Sequence, residues 1–242
     1  MATVKGVIFD IDDTLYFERD YVRSGFQAVA NYLSCYHAID SQTAFSFLWA
    51  CFQTGKRGNT FDLLIEATPG LVPHVTPQDL VMIYRSHQPT INIIPEMANL
   101  MDDLQRMGIP MGVISDGPIE AQSHKVEALG LSRWMKVICL TDQWGKAYWK
   151  PHPRAYEACE KELNLSGSEL VYVADNAKKD FEAPSRRGWH MIHLQYSNTL
   201  YNNSQHPNNS IIAAPSHKAC RAIVMNLVTN HSTLTSHPDP HA

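Results

Sequence analysis

Close to the N-terminus an apolar run, Val7-Ile8-Phe9, stops abruptly at Asp10, and Ile11-Asp12-Asp13-Thr14-Leu15 follows. A short, continuously apolar segment bounded by polar residues suits a strand buried on both faces. Such strands belong to parallel sheets covered by helices on both sides, and ligands bind beyond their carboxyl ends. Two acids placed two positions apart at such an end cost stability unless a counter-charge reaches them. This one segment therefore points to an α/β architecture and to a charged site at the end of its first strand.

The next strand is far away. From Glu18 to Tyr36 the pattern turns helical, with Tyr21, Val22, Phe26, Val29, Ala30 and Leu33 recurring at three- and four-residue intervals. Helical stretches at 41–53, 58–67 and 77–88 follow, punctuated by Thr54-Gly55, Pro69-Gly70 and Pro73. Roughly seventy-five residues without a strand-like run are too many for a simple βα connection, so an inserted helical domain is expected. From Pro95 onward, helices near 95–107, 119–129, 153–163 and 178–187 alternate with strands near 109–114, 137–140, 170–174 and 189–194. The predicted fold is α/β: a Rossmann-like, doubly wound parallel sheet over residues 1–16 and 93–230, with an all-helical insertion at 17–92. Residues 197–210 read as a loop, 215–228 as a last helix and 231–242 as a disordered tail.

Composition narrows the function. The chain has 242 residues, 44% of them hydrophobic, and a formal net charge of −4, which gives no reason to expect nucleic acid or a membrane surface as a partner. No apolar stretch is long enough to span a bilayer, and the early acids leave no signal-peptide pattern, so a soluble cytoplasmic protein is expected. The five cysteines are scattered without a Cys-x-x-Cys pair, which favours buried thiols over a disulfide framework or zinc site.

Polar residues recur where strands end. Asp10-x-Asp12-x-Thr14 closes the first strand, and Ser115-Asp116 the second. Lys150, in Trp149-Lys150-Pro151-His152-Pro153, precedes a helix, and Ala174-Asp175-Asn176-Ala177-Lys178-Lys179-Asp180 follows the fourth strand. Each piece alone has an ordinary reading as a cap, a turn residue or a solvated lysine. Taken in this order, they resemble the four motifs of the haloacid dehalogenase-like (HAD) superfamily, over about Val4 to Leu194. The helical insertion resembles that superfamily's C1-type cap, and Asp-Asp-Thr-Leu-Tyr is similar to its pyrimidine nucleotidase-like branch.

The resemblance implies a Mg²⁺-dependent phosphatase acting on a small phosphorylated substrate, a sugar phosphate or nucleoside monophosphate. Asp10 is its nucleophile, forming an aspartyl-phosphate, and Asp12 its general acid and base. Asp10, the backbone carbonyl of Asp12, and Asp175 are the implied metal ligands. Ser115, Asp116 and Lys150 are the implied phosphate-binding residues, with Thr14, Asn176 and Asp180 in support. Asp180 is expected to orient Lys150 or a metal-bound water rather than to coordinate directly.

Two departures from the family pattern stand out: Ala174 where Gly is usual, and Asp116 where Asn is usual, whose charge would weaken phosphate binding if it faced inward. The second acid, Asp12, argues against carbon–halogen and phosphonate cleavage. A phosphomutase and a non-catalytic binding module on the same scaffold are the alternatives. Candidate specificity residues are Tyr16, Arg19, Arg23, Arg57, Asn59 and Thr60, while Trp144, Tyr148 and Trp149 could stack on a substrate or fix their loop. Lys178, Lys179, Arg186 and Arg187 read as one solvated helix face.

Overall fold

The computed structural model describes residues 4–71, 73–196 and 211–229; the expected loop at 197–210 and the expected disordered tail at 231–242 lie outside them. These residues form two compact units. One comprises the described residues through Phe17, Ile93–Ile119 and those from Gly130 onward; the other comprises Glu18–Asn92 together with Glu120–Leu129.

The first unit is built on a sheet of six parallel strands: β1 (Gly6–Phe9), β2 (Met111–Ser115), β3 (Met135–Leu140), β4 (Leu170–Ala174), β5 (His190–Leu194) and β6 (Ile211–Ala214). Their spatial order is β3-β2-β1-β4-β5-β6, so the direction of winding reverses between β1 and β4. At such a switch point the loops leaving the two strands diverge and open a crevice. β1, β2 and β4 are buried along their whole length, as continuous apolar runs in a parallel sheet should be. Helices α5 (Pro95–Arg106), α7 (Arg154–Leu163), α8 (Glu182–Arg186) and α9 (His217–Thr229) complete the unit. Met97, Leu100, Met101 and Leu104 of α5 make one buried stripe at helical spacing, as Ala155, Tyr156, Cys159 and Leu163 of α7 do.

The sixth strand was not expected, because β5 reads as the last. Ile211-Ile212-Ala213-Ala214 is too short to show a period, and Ile212 and Ala213 are exposed. Pairing with β5 decides its conformation: Met191 sits opposite Ile211 and Leu194 opposite Ala214. The expected helix over 178–187 is also corrected. Only Glu182–Arg186 is α-helical, because residues 176–180 are held in a turn described below.

The helical unit contains α1 (Glu18–His37), α2 (Ser41–Gln53), α3 (Thr60–Glu66) and α4 (Pro77–Ser86), and most of α6 (Ile119–Ala128) groups with it. Its core joins Val22, Phe26, Val29, Ala30 and Leu33 of α1 to Leu48, Leu64 and Leu80. Asp40 caps α2 through the Thr43 amide, and Thr76 with Asp79 forms a reciprocal capping box on α4, placing starts where the sequence breaks. Gly25 lets α1 approach α4: a Cβ there would lie 2.4 Å from the Tyr84 ring. No helix among the described residues is long and apolar enough to cross a membrane. Four of the five cysteines are buried and all are free thiols; Cys35 is exposed.

Candidate active site

Strand register brings the acids together. Phe9 of β1 lies opposite Val173 of β4, and the Asp10 amide donates to the Val173 carbonyl at 2.9 Å. Asp10 is therefore level with Ala174 and Asp175 follows one residue further along, both just past the ends of neighbouring strands at the winding reversal. Asp10, Asp175 and Asp180 are all buried, and one carboxylate oxygen from each lies within 4.8 Å of the others.

Lys150 is the counter-charge. Its ammonium lies 2.6 Å from Asp10 Oδ1 and 2.8 Å from Asp180 Oδ1, and it reaches the Tyr172 hydroxyl at 3.2 Å and the Ile114 carbonyl at 3.5 Å. Burial pulls the pKa of this lysine down, but Asp10, Asp180 and Asp116 outweigh it and hold it well above the usual lysine value. The chain reaches this position through two 3-10 turns after β3, Thr141–Trp144 and Lys146–Tyr148.

One cation does not balance the carboxylates. Burial first, then Asp10, Asp180 and Asp13, push Asp175 up to about 9, while burial raises Asp10 to about 6 against the opposing pull of Lys150. Asp175 Oδ2 is buried without a hydrogen-bond partner among the described residues. An orphaned buried carboxylate oxygen within an all-oxygen donor set fits a hard divalent cation.

This has a consequence for stability. Both carboxyls titrate above their ordinary value of 3.8, so between that pH and about 9 the folded protein binds more protons than the unfolded chain. Their contribution favours folding at acid pH and is lost as pH rises through about 6 for Asp10 and about 9 for Asp175. A divalent cation that replaces those protons should therefore raise the Tm more at about pH 8 than at about pH 5. Thermal unfolding with and without Mg²⁺ measures this, and equal shifts at both values would contradict it.

The loop after β4 is closed locally. Asp180 Oδ2 accepts the Asn176 amide at 3.0 Å, the Asn176 carbonyl accepts the amides of Lys179 and Asp180, and Asn176 Oδ1 accepts the Lys178 amide. Asp180 thus shapes the turn with one oxygen and pairs with Lys150 through the other. Asn176 acts on the turn.

After β1 the chain also turns tightly, with the Leu15 amide donating to the Ile11 carbonyl at 2.9 Å. Asp13 takes a left-handed conformation at φ 49°, which Asp tolerates better than most residues. Asp12 is not part of the carboxylate cluster; its side chain accepts a hydrogen bond from the Tyr16 hydroxyl. Tyr16 is fully buried, so it positions Asp12 and is corrected from a specificity residue. Thr14 was expected to tie the loop. Its amide does so on the Ile11 carbonyl at 3.3 Å, but its buried hydroxyl has no hydrogen-bond partner among the described residues.

Ser115, the last residue of β2, is 1% exposed, and its carbonyl accepts the Thr141 hydroxyl at 3.2 Å. The Asp116 carboxylate is occupied by donors: Oδ1 accepts the Thr141 hydroxyl at 2.8 Å and the Lys150 amide at 3.0 Å, and Oδ2 accepts from Lys179 Nζ at 3.2 Å. Its charge is thereby compensated by the protein itself.

Lys179 corrects the expectation of a single solvated basic face. The four cations go separate ways: Lys178 is exposed, Lys179 pairs with Asp116, Arg186 pairs with Glu182 at the surface, and Arg187 bridges Glu157 and Glu160. Trp149 Nε1 donates to Asp142 at 3.0 Å, and the Arg154 guanidinium lies over both Trp144 and Tyr148, so these aromatics fix their own loop. In the helical unit, Arg19 is exposed and Arg57 lies over Phe52. Thr60 donates to the Lys56 carbonyl, and Asn59 stands at the start of α3 without a side-chain cap bond. Arg23 lines an open polar cavity of about 450 Å³ with Asp20, Gln27, Asn31 and His87.

Two supporting residues were missed. The Tyr172 hydroxyl, in the middle of β4, accepts a hydrogen bond from Lys150 Nζ, and a hydroxyl inside Leu170-Val171-Tyr172-Val173-Ala174 was the available signal, since a buried hydroxyl seeks a partner. His193 of β5 reaches the Asp175 carbonyl through Nε2 at 2.8 Å; nothing in its local sequence marks it.

The profile described as haloacid dehalogenase-like hydrolase matches residues 7–194. The chain belongs to this family. It is 26% identical over 189 residues to the glyceraldehyde 3-phosphate phosphatase of Methanocaldococcus jannaschii, covering 76% of this chain and 82% of the relative. A phosphoglycolate phosphatase of Escherichia coli is 23% identical over 104 residues, 43% of this chain and 40% of the relative. Among solved structures, the magnesium-bound HAD-hydrolase YfnB of Bacillus subtilis shares the fold with a TM-score of 0.64 at 13% identity, covering 92% of this chain and 99% of that one. A HAD-like hydrolase of Xanthomonas campestris gives 0.60 at 20% identity, covering 95% and 98%.

Proposed function

We propose that this HAD hydrolase is a Mg²⁺-dependent phosphomonoesterase that cleaves a small phosphorylated metabolite through an aspartyl-phosphate on Asp10. The observation that carries the reading is the placement of Asp10 and Asp175 just past the ends of adjacent strands at the winding reversal, with Lys150 held between Asp10 and Asp180. The names of the relatives, phosphatases of glyceraldehyde 3-phosphate and phosphoglycolate, support a compact phosphorylated metabolite as substrate.

Asp10 attacks phosphorus with one carboxylate oxygen while Lys150 holds the other, fixing the line of approach. Asp12 protonates the leaving alkoxide and then takes a proton from the water that cleaves the acyl phosphate. The buried Tyr16 hydroxyl holds the Asp12 carboxyl for both transfers. Ser115 and the amides following Asp10 and Ser115 supply donors to the phosphoryl oxygens. Asp10, Asp175 and the Asp12 carbonyl would hold the Mg²⁺, and Asp180 sets the Lys150 ammonium beside them. When bound, the ion offsets the repulsion between carboxylates and phosphate. The second acid, Asp12, supports cleavage of an oxygen ester rather than a carbon–halogen bond.

Hydrolysis of an aryl phosphate should stop in EDTA and return when Mg²⁺ is added in excess. Undiminished turnover in the chelator would contradict the metal's part in the reading.

A further inference from the structure

The two lysines near the acids differ in what they have left to give. An ammonium carries three protons. Those of Lys150 reach the oxygens of Asp10, Tyr172 and Ile114, the ammonium also pairs with Asp180 Oδ1 at 2.8 Å, and its side chain is wholly buried.

Lys179 is the opposite case. Its side chain is 34% exposed, and among the described residues its ammonium is bound by Asp116 alone, at 3.2 Å. Two of its three protons are therefore uncommitted. Asp116 itself is held firmly, with its other oxygen taken by the Thr141 hydroxyl and the Lys150 amide. The turn closed by Asn176 and Asp180 fixes the backbone at 179, sending the neighbouring Asp180 side chain inward to Lys150. Burial and the charge of Lys150 act against the ammonium of Lys179, but Asp10, Asp180 and Asp116 outweigh them and hold it above the usual lysine value.

We infer that Lys179, steered by Asp116, supplies a second ammonium to the substrate's phosphate group, beside the one that Lys150 holds between Asp10 and Asp180. Asp116 is then a positioning residue: it links the Lys150 backbone to the Lys179 side chain and turns an apparent liability, an acid beside an anion site, into a support for a cation. The inference rests on the phosphatase reading for its substrate, but its central claim is affinity for phosphate.

The test compares wild type, Lys179→Met, Lys179→Arg and Asp116→Asn on p-nitrophenyl phosphate with Mg²⁺, and measures binding of inorganic phosphate by calorimetry. Lys179→Met should raise KM and the phosphate dissociation constant together by about tenfold, with kcat within about threefold of wild type. Lys179→Arg should restore most of the affinity. Asp116→Asn keeps an acceptor for Thr141 and the Lys150 amide but loses its hold on Lys179, so KM and phosphate dissociation should rise by about threefold. Unchanged phosphate affinity in Lys179→Met, or in Asp116→Asn should the first variant not fold, overturns the inference, as does a fall in kcat alone. A wild-type protein that binds phosphate through Lys179 but hydrolyses no phosphomonoester would instead overturn the phosphatase reading and leave this one standing.

Discussion

Asp10→Asn should lose turnover on an aryl phosphate by a factor on the order of 10⁴ or more while keeping the native fold. Asn has the shape of Asp but an amide in place of the attacking oxygen, and it offers Lys150 an acceptor without charge. Lys150 still has Asp180 at 2.8 Å, and the Asp10 backbone bond to Val173 does not involve the side chain. The circular dichroism spectrum and the Tm should therefore stay close to wild type. Because burial raises the Asp10 carboxyl to about 6, removing that acid should even relieve a small strain in metal-free protein above that pH. Near-normal turnover by a purified, folded Asp10→Asn protein would exclude Asp10 as nucleophile.

Lys150→Ala should damage fold and activity together. It leaves Asp10 and Asp180 buried at 3% and 0% exposure without the ammonium that pairs with both, and removing one member of a buried ion group costs about 3–5 kcal/mol. Burial raises the Asp10 carboxyl and Lys150 lowers it, so without Lys150 Asp10 favours protonation more strongly and the deficit relative to wild type should shrink as pH falls. Denaturant unfolding in metal-free buffer at neutral and at acid pH measures both effects. Lys150→Arg should not restore wild-type behaviour, because a planar guanidinium cannot place one compact charge among four oxygens. A Lys150→Ala protein as stable as wild type at neutral pH would show that the ammonium is not what holds the acids together.

Most of this architecture was legible in the chain because β1, β2 and β4 are short, apolar and closed by a residue with a charge or hydroxyl. Val7-Ile8-Phe9-Asp10 and Val171-Tyr172-Val173-Ala174-Asp175 are two copies of one pattern, and parallel pairing brings the two acids within one residue of each other in height. The pairing itself, and hence the winding reversal between β1 and β4, depends on contacts between distant segments. What escaped was tertiary in origin. Ile211–Ala214 becomes a strand only because β5 offers an edge. Lys179 sits among basic residues that read as a solvated helix, and only the Asn176–Asp180 turn directs it to Asp116. Tyr16 looked like a substrate contact, yet its ring is buried and its hydroxyl serves Asp12. Side-chain identity pointed to the strand ends; which oxygen answers which nitrogen was settled by packing.

The claim on which everything else depends is a covalent bond between Asp10 and the transferred phosphoryl group. Steady-state enzyme turning over an aryl phosphate with Mg²⁺ can be acid-quenched and treated with borohydride, which reduces an aspartyl-phosphate to homoserine. Peptide mapping by mass spectrometry should then find homoserine at position 10, dependent on substrate and absent from the Asp10→Asn protein. Turnover with an unmodified Asp10 in every quenched sample, or the reduced residue at any other acid, would contradict it.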